Sequence, residues 1–322
     1  MNTDNLYEIK NKLSDKITVY VNEDTHASLH KDCEDFEVSN MNDFVNRLIA
    51  NYIEDYYDLI DDFGTAIKDS LKNYVNEGNL EDICKTIAFK NGSVVGTKGK
   101  TEKRINFRLQ KKTFLKAVEN LYDAPDSLDV SSFFRNMFLS YLSMPSYKRE
   151  RIIYRKTIMQ IEEIIRKKEK LSYYKKDTGK THILNPYTVE SSTNELYNYL
   201  IGQYDNDDKH KTSVRIARIK DIFPIHKTAE FSDNFEECYK SAKKNGIQFM
   251  MDDVETHSVV LTGKQYDTYN RRYLERPKII DEKIDGDSHI CFFDCSRFQL
   301  ESFFTPFKDK ETHKEPAIEK IK

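Results

Sequence analysis

The chain has 322 residues, 33% of them charged, and its formal net charge of −3 hides a strong segregation between segments. Its five cysteines, Cys33, Cys84, Cys238, Cys291 and Cys295, show no paired metal-ligand spacing, and no stretch approaches the run of about 18 apolar residues that a membrane span needs. These features exclude a disulfide scaffold, a zinc ribbon and a spanning helix. The start, MNTDNLYEIKNKL, has no basic segment followed by an apolar run, so a cytoplasmic protein with reduced thiols is expected.

Two segments share one pattern. In the first, Ile17, Val19 and Val21 alternate with Lys16, Thr18 and Tyr20, the period of a half-buried strand. Leu29, Cys33 and Phe36 follow at helical spacing, then Ser39-Asn40 as an N-cap and a helix burying Phe44, Leu48, Ile49, Tyr52 and Ile53. In the second, Ile105, Phe107 and Leu109 alternate with Arg104, Asn106 and Arg108. Phe114, Leu115, Val118 and Leu121 come next, then Asp129 as a cap, then Phe133, Phe134, Met137 and Phe138.

This strand-helix-helix order resembles the ribbon-helix-helix family, whose strand pairs with that of a partner chain. Two copies in one polypeptide predict an internal pair, with Thr18 and Tyr20 lying across from Asn106 and Arg108. A two-stranded ribbon fits the major groove, and its outward residues here are Thr18, Tyr20, Arg104, Asn106 and Arg108. Charge opposes a simple duplex reader. Up to Asp62 five basic residues face fifteen carboxylates, a balance of −10, where phosphate binding calls for the opposite sign.

Helix-like sequence continues from Asp55 to Lys85, with a further short helix over Leu80 to Phe89. The glycine-rich, lysine-rich stretch Lys90 to Arg104 reads as a flexible loop and lacks phosphate-loop spacing. A basic helix is predicted over Tyr147 to Lys170. From Lys148 to Lys180 twelve basic residues face five acidic ones, a balance of +7, with Tyr147, Tyr154, Tyr173 and Tyr174 interleaved. Cations with aromatic faces are what unpaired bases require, and Lys167 and Lys168 belong to this set.

Beyond it, Leu171 to Glu190 alternates like a hairpin around Asp177-Thr178-Gly179. Then come Asn185-Pro186-Tyr187, Asn198-Tyr199-Leu200 followed by Ile201-Gly202, and Val214-Arg215-Ile216-Ala217-Arg218-Ile219. At these residues the chain resembles the WYL-domain family of SH3-like or Sm-like barrels. It departs from that family at Asn198, where the signature tryptophan stands, and at Ala217, where the arginine strand carries an acidic residue. The resemblance implies a ligand-contacting surface of Tyr174, His182, Tyr199, Arg215 and Arg218. Three residues apart on a strand, Arg215 and Arg218 should point to opposite faces unless a bulge intervenes.

The last part reads as a helix over Asn234 to Gly246, strands at Ser258 to Thr262, Lys278 to Lys283 and His289 to Cys295, and a frayed tail from Asp309. Its run Ile290 to Phe293 looks buried or interfacial. The expected class is α+β and multidomain. A tandem ribbon-helix-helix domain, an intramolecular pseudo-dimer, spans 15–150, with repeats at about 15–60 and 103–145 and a linker at 61–102. A WYL β-barrel with its leading basic helix spans 151–233, and a mixed α/β dimerisation region spans 234–322. No catalytic constellation, cofactor motif or metal site stands out, so a non-enzymatic homodimer without cofactor is expected. The domain order resembles WYL accessory proteins of type VI-D CRISPR systems. That resemblance implies binding of single-stranded RNA and enhancement of an RNA-guided RNA-cleaving effector. The other reading is a duplex-DNA-binding transcriptional regulator with a ligand-sensing WYL domain.

Overall fold

The computed structural model describes residues 10–11, 13, 16–74, 80–91, 103–121, 129–192, 196–206, 210–250, 255–272, 276–307 and 316–321. It is a mixed α and β protein of two compact units, 1–155 and 156–322. Most of the glycine-rich stretch lies outside the described residues. Among the described residues no helix is long and apolar enough to cross a membrane.

In the first unit β1 (Ile17–Val21) pairs antiparallel with β2 (Lys103–Phe107) of the same chain. The alternation explains why: Ile17, Val19, Val21, Ile105 and Phe107 are buried on one face, and polar residues keep the other. The two repeats are centred on Thr18 opposite its counterpart Asn106, one pair from Val19 and Ile105 at the middle of the ladder, and the Thr18 hydroxyl donates to the Asn106 side-chain oxygen at 2.8 Å. Tyr20 therefore faces Arg104, not Arg108 as expected. Antiparallel pairing about that centre runs the strands in opposite senses, and Arg108 falls beyond the end of β2.

Helices α1 (Glu23–Asp35) and α2 (Met41–Leu71) follow β1, and α3 (Leu80–Asn91) packs on α2. After β2 come α4 (Lys111–Asn120), α5 (Val130–Leu142) and α6 (Ser146–Ile153). Asn40 caps α2 by accepting from the Asp43 amide at 2.9 Å, and Asp129 caps α5 by accepting from Ser131 at 3.1 Å. In α4 the buried face is Thr113, Ala117 and Val118, whereas Leu115 is 50% exposed. The repeats hold their ribbon by equivalent contacts. Arg135 on α5 donates to the Tyr20 carbonyl at 2.7 Å, and Asn46 on α2 donates to the Arg108 carbonyl at 2.9 Å. Behind the ribbon, Phe107 packs edge-on against Phe134 at 5.6 Å and Tyr56 against Phe133 at 5.4 Å.

The predicted single basic helix is two, α6 and α7 (Arg155–Arg166), broken at Tyr154 with φ −107° and ψ 21°. Tyr154 is buried, and its hydroxyl donates to the Phe36 carbonyl, a tertiary bond that local propensity does not contain.

The second unit carries a five-stranded antiparallel sheet of β3 (Glu169–Lys175), β4 (Lys180–Ser191), β5 (Asn198–Tyr204), β6 (Lys211–Arg215) and β7 (Ile219–Thr228). The strand order is β6-β5-β4-β3-β7. Leu171, Tyr173, Leu184, Leu200, Val214 and Ile219 are buried along it. The closed barrel expected from the sequence is not formed by hydrogen bonds: among the described residues β6 and β7, the two outer strands, do not pair. A 3-10 turn at Ile216–Arg218 joins them instead and meets the end of β3 through a backbone bond, Lys176 N–H to the Arg218 carbonyl at 3.0 Å. Helix α8 (Phe235–Asn245) covers part of the outer face. It brings Phe235, Cys238 and Ala242 against Ile201, Tyr187 and Tyr199, so residues after 233 complete this sheet's core.

Farther along, β8 (Glu255–Thr262), β9 (Ile279–Asp285), β10 (Ser288–Cys295) and β11 (Ile318–Lys320) form a sheet of order β11-β8-β10-β9. Helices α9 (Gly263–Arg271) and α10 (Arg297–Phe304) contribute Tyr269, Leu300, Phe303 and Phe304 to its core. The run Ile290 to Phe293 does not behave as one buried block. Cys291 and Phe293 point into that core while Ile290 and Phe292 stay half-buried on the other face, the alternation of a strand. Part of the tail expected to fray is ordered, because Ile318 to Lys320 pairs with the edge of β8.

Candidate nucleic-acid interface

The residues singled out in the second unit fall into three places. Lys167 and Lys168 sit before β3; Lys167 pairs with Glu163 at 3.2 Å, and Lys168 takes a left-handed φ of 56° at the turn. Tyr174 and His182 lie at the far end of β3 and the start of β4. Tyr199 and Arg215 face each other across β5 and β6.

The 3-10 turn draws the last two places toward each other. Arg215 ends β6 and Arg218 ends the turn, so they do not lie on opposite faces of one strand as expected. Three residues limit the separation of their Cα atoms to about 11 Å. The Arg215 guanidinium lies 3.5 Å over the Tyr197 ring, a cation-π contact that fixes its plane. Arg218 meets Asp177 at 3.4 Å and keeps 43% of its side chain exposed. Lys175 reaches the same carboxylate at 3.7 Å, and the Lys176 ammonium donates to the Ala217 carbonyl. Arg218, Lys175 and Lys176 thus gather around Asp177 and the Ala217 carbonyl, an arrangement that suits a phosphate.

Two expected contact residues have packing partners. Tyr199 packs on the cluster under α8, and its strand neighbour Glu190 accepts from Tyr239 at 2.6 Å. His182 lies on the inner face of the sheet, stacked on Tyr173 at 5.7 Å and tilted against Tyr204 at 5.3 Å. Burial, then Lys175 and Lys180, hold its pKa below the ordinary histidine value. Tyr174 is half-buried, with its hydroxyl beside the left-handed Gly179 of the β3–β4 turn.

A depressed histidine pKa makes stability depend on pH. Between the folded and unfolded values the unfolded chain binds more protons, so the contribution is complete above about pH 6.5 and is lost as pH falls below it. The melting temperature of the second unit should therefore drop between pH 7 and pH 5, and His182→Gln should flatten that drop. An unchanged pH profile in the variant would show that the ring titrates alike in both states.

In the first unit the ribbon's outer face presents Tyr20, Arg104 and Asn106, all exposed, with half-buried Thr18 tied to Asn106. Arg108 keeps an exposed side chain, while its backbone is held on both sides by Asn42 and Asn46. Sequence reasoning missed Tyr197, although its place directly before the Asn198-Tyr199 strand was visible. It also missed Phe223 on β7, which is 62% exposed. Among the described residues no three histidine, cysteine or carboxylate side chains gather where a metal could bind.

The sequence matches no family model and no curated protein. The fold has a counterpart in a crystal structure of a CRISPR Cas-related protein. The TM-score is 0.64 at 16% identity, covering 94% of this chain and 88% of that one. The two chains share a fold. An overlap with the proteasome accessory factor B/C of Arthrobacter aurescens covers 59% of this chain and 30% of that one, at 12% identity and a TM-score of 0.24, too little to show a common fold.

Proposed function

We propose that this chain binds single-stranded RNA and serves as a non-enzymatic accessory protein of a type VI-D CRISPR system, enhancing its RNA-guided RNA-cleaving effector. The observation that carries the reading is the cationic corner, where Arg218 and Lys175 share the Asp177 carboxylate and Lys176 holds the neighbouring Ala217 carbonyl, with Arg215 over the Tyr197 ring at the other end of the 3-10 turn. Guanidinium and ammonium groups neutralise the backbone, and nearby phenol rings suit unpaired bases. The likeness over nearly the whole chain to a CRISPR Cas-related protein supports the CRISPR assignment. In this reading the first unit is a tandem ribbon-helix-helix domain and residues 151–233 a WYL domain. The cytoplasmic protein is a homodimer through the last region, where Ile280 and Ile284 on the edge strand β9 are exposed.

A second reading, a DNA-binding transcriptional regulator with a ligand-sensing WYL domain, is favoured by the exposed Arg104 and Asn106 of the ribbon. Fluorescence anisotropy on labelled single-stranded RNA and duplex DNA at physiological salt separates the two. We expect the RNA to bind more tightly, and Arg218→Gln, or Lys167→Gln with Lys168→Gln, to weaken it. Each lost phosphate contact should flatten the log-log salt slope by about 0.7. Arg104→Gln with Asn106→Ala should leave RNA binding unchanged and abolish binding to any specific duplex operator. Tighter binding of a particular duplex, or folded corner variants that bind RNA like the parent, would overturn the RNA reading.

A further inference from the structure

The outer face of the five-stranded sheet is covered unevenly. Helix α8 lies over Tyr187, Tyr199 and Ile201, and the segment before it bonds across β4 and β5, with the Glu230 amide donating to Asn185 at 3.1 Å and the Ser232 amide to Gln203 at 2.8 Å. Among the described residues, the half of that face on β3, β7 and the start of β4 has no such cover. Ser172 sits at its middle, with Ile183 directly opposite on β4 and Phe223 directly opposite on β7. Ile183 is 42% exposed and Phe223 is 62% exposed. The next row on the same face is Tyr174, between Thr181 and Lys220.

We propose that this bare half-face is a base-stacking platform, on which Phe223 receives an unpaired base of the RNA whose phosphates occupy the arginine corner. The inference rests on the RNA reading above and adds a second contact, away from the residues already assigned. Its geometry is that of a shallow trough. Strands about 4.8 Å apart put Phe223 and Ile183 some 10 Å from each other across the small Ser172, room for a flat ring against the phenylalanine. Charge selects the occupant. Lys220 flanks the platform on the Tyr174 side, and Lys175 and Lys176 follow at the end of β3. Lys170 borders it on the other side, paired with Asp205 at 2.8 Å. An apolar patch bordered by Lys220, Lys170 and Lys176, with Asp221 and the paired Asp205 among them, fits a polyanion that carries aromatic rings better than it fits a protein surface.

The chain contains no tryptophan, so Phe223→Trp introduces the sole indole and a direct reporter. Its emission should be quenched when single-stranded RNA is added and respond less to an oligonucleotide with abasic sites. Phe223→Ala should weaken RNA binding about 5- to 100-fold with an unchanged salt slope, because a stacking contact releases no counterions. Exposure of the ring means the alanine variant should melt like the parent, and the melt is measured beside affinity. If RNA binds the tryptophan variant without quenching, or Phe223→Ala binds like the parent while Arg218→Gln does not, the platform is overturned and the RNA reading stands. If the parent binds no single-stranded RNA, both fall. Emission that changes with protein concentration in the absence of RNA would assign the face to a second copy and overturn the platform.

Discussion

Replacing Arg149 by methionine should remove about 3–5 kcal/mol from the first unit. The guanidinium grips Asp32 with two bonds, Nε to one carboxylate oxygen at 2.7 Å and a terminal nitrogen to the other at 2.8 Å. It also donates to the Met144 carbonyl at 2.8 Å and lies over the Tyr141 ring. The Asp32 side chain is only 3% exposed, so removing its partner leaves a carboxylate with little access to water. Domains of this size have about 5–15 kcal/mol in total, and the loss is therefore a large share. The pair ties α1 to α6, which no local interaction replaces. Urea denaturation checks the value, and Asp32→Asn in the methionine background should recover part of the loss. A single variant within about 1 kcal/mol of the parent would mean that the carboxylate finds another partner.

Gly202→Ala should be comparably damaging in the second unit. A Cβ there would lie 2.4 Å from the Asn185 carbonyl oxygen and 2.8 Å from a Leu184 methyl group. The nearer atom is backbone, and Asn185 is locked by the β4–β5 ladder and by its side-chain bonds to Gln203 and Glu230. Overpacking of this kind costs about 1–3 kcal/mol where neighbours can adjust, and more where they cannot. Gly263→Ala supplies the control. Its Cβ would meet nothing closer than 3.9 Å, at the start of a helix, and a gain of about 0.4–1 kcal/mol is expected from a stiffer unfolded chain. Thermal melts of both variants decide the matter. Equal stability of Gly202→Ala and the parent would refute the close-contact argument.

The repeated strand-helix-helix order could be read because its signals are local: alternation in Ile17–Val21 and Lys103–Phe107, and the caps Asn40 and Asp129. The internal pairing followed from there being two copies. The register did not, since only the assembled ribbon sets Tyr20 against Arg104. The break at Tyr154 was invisible for the same reason, because its cause is a bond to Phe36, 118 residues away. In the candidate site, charge and aromatic content singled out a stretch of chain, and burial sorts its members. His182 and Tyr199 have ring partners within the fold, whereas Phe223 does not need one to stay outside.

The ribbon of the first unit has one further consequence. A pair made from two separate chains comes apart on dilution and must show the same side chains on both strands. Here β1 and β2 are joined covalently, so their association is unimolecular and independent of protein concentration. The halves are also free to diverge: Tyr20 stands on one side of the centre where Arg108 stands on the other, and Arg135 does for one strand what Asn46 does for its counterpart. The surface of this ribbon is therefore directional, not palindromic, and a molecule laid on it would meet different side chains in its two orientations.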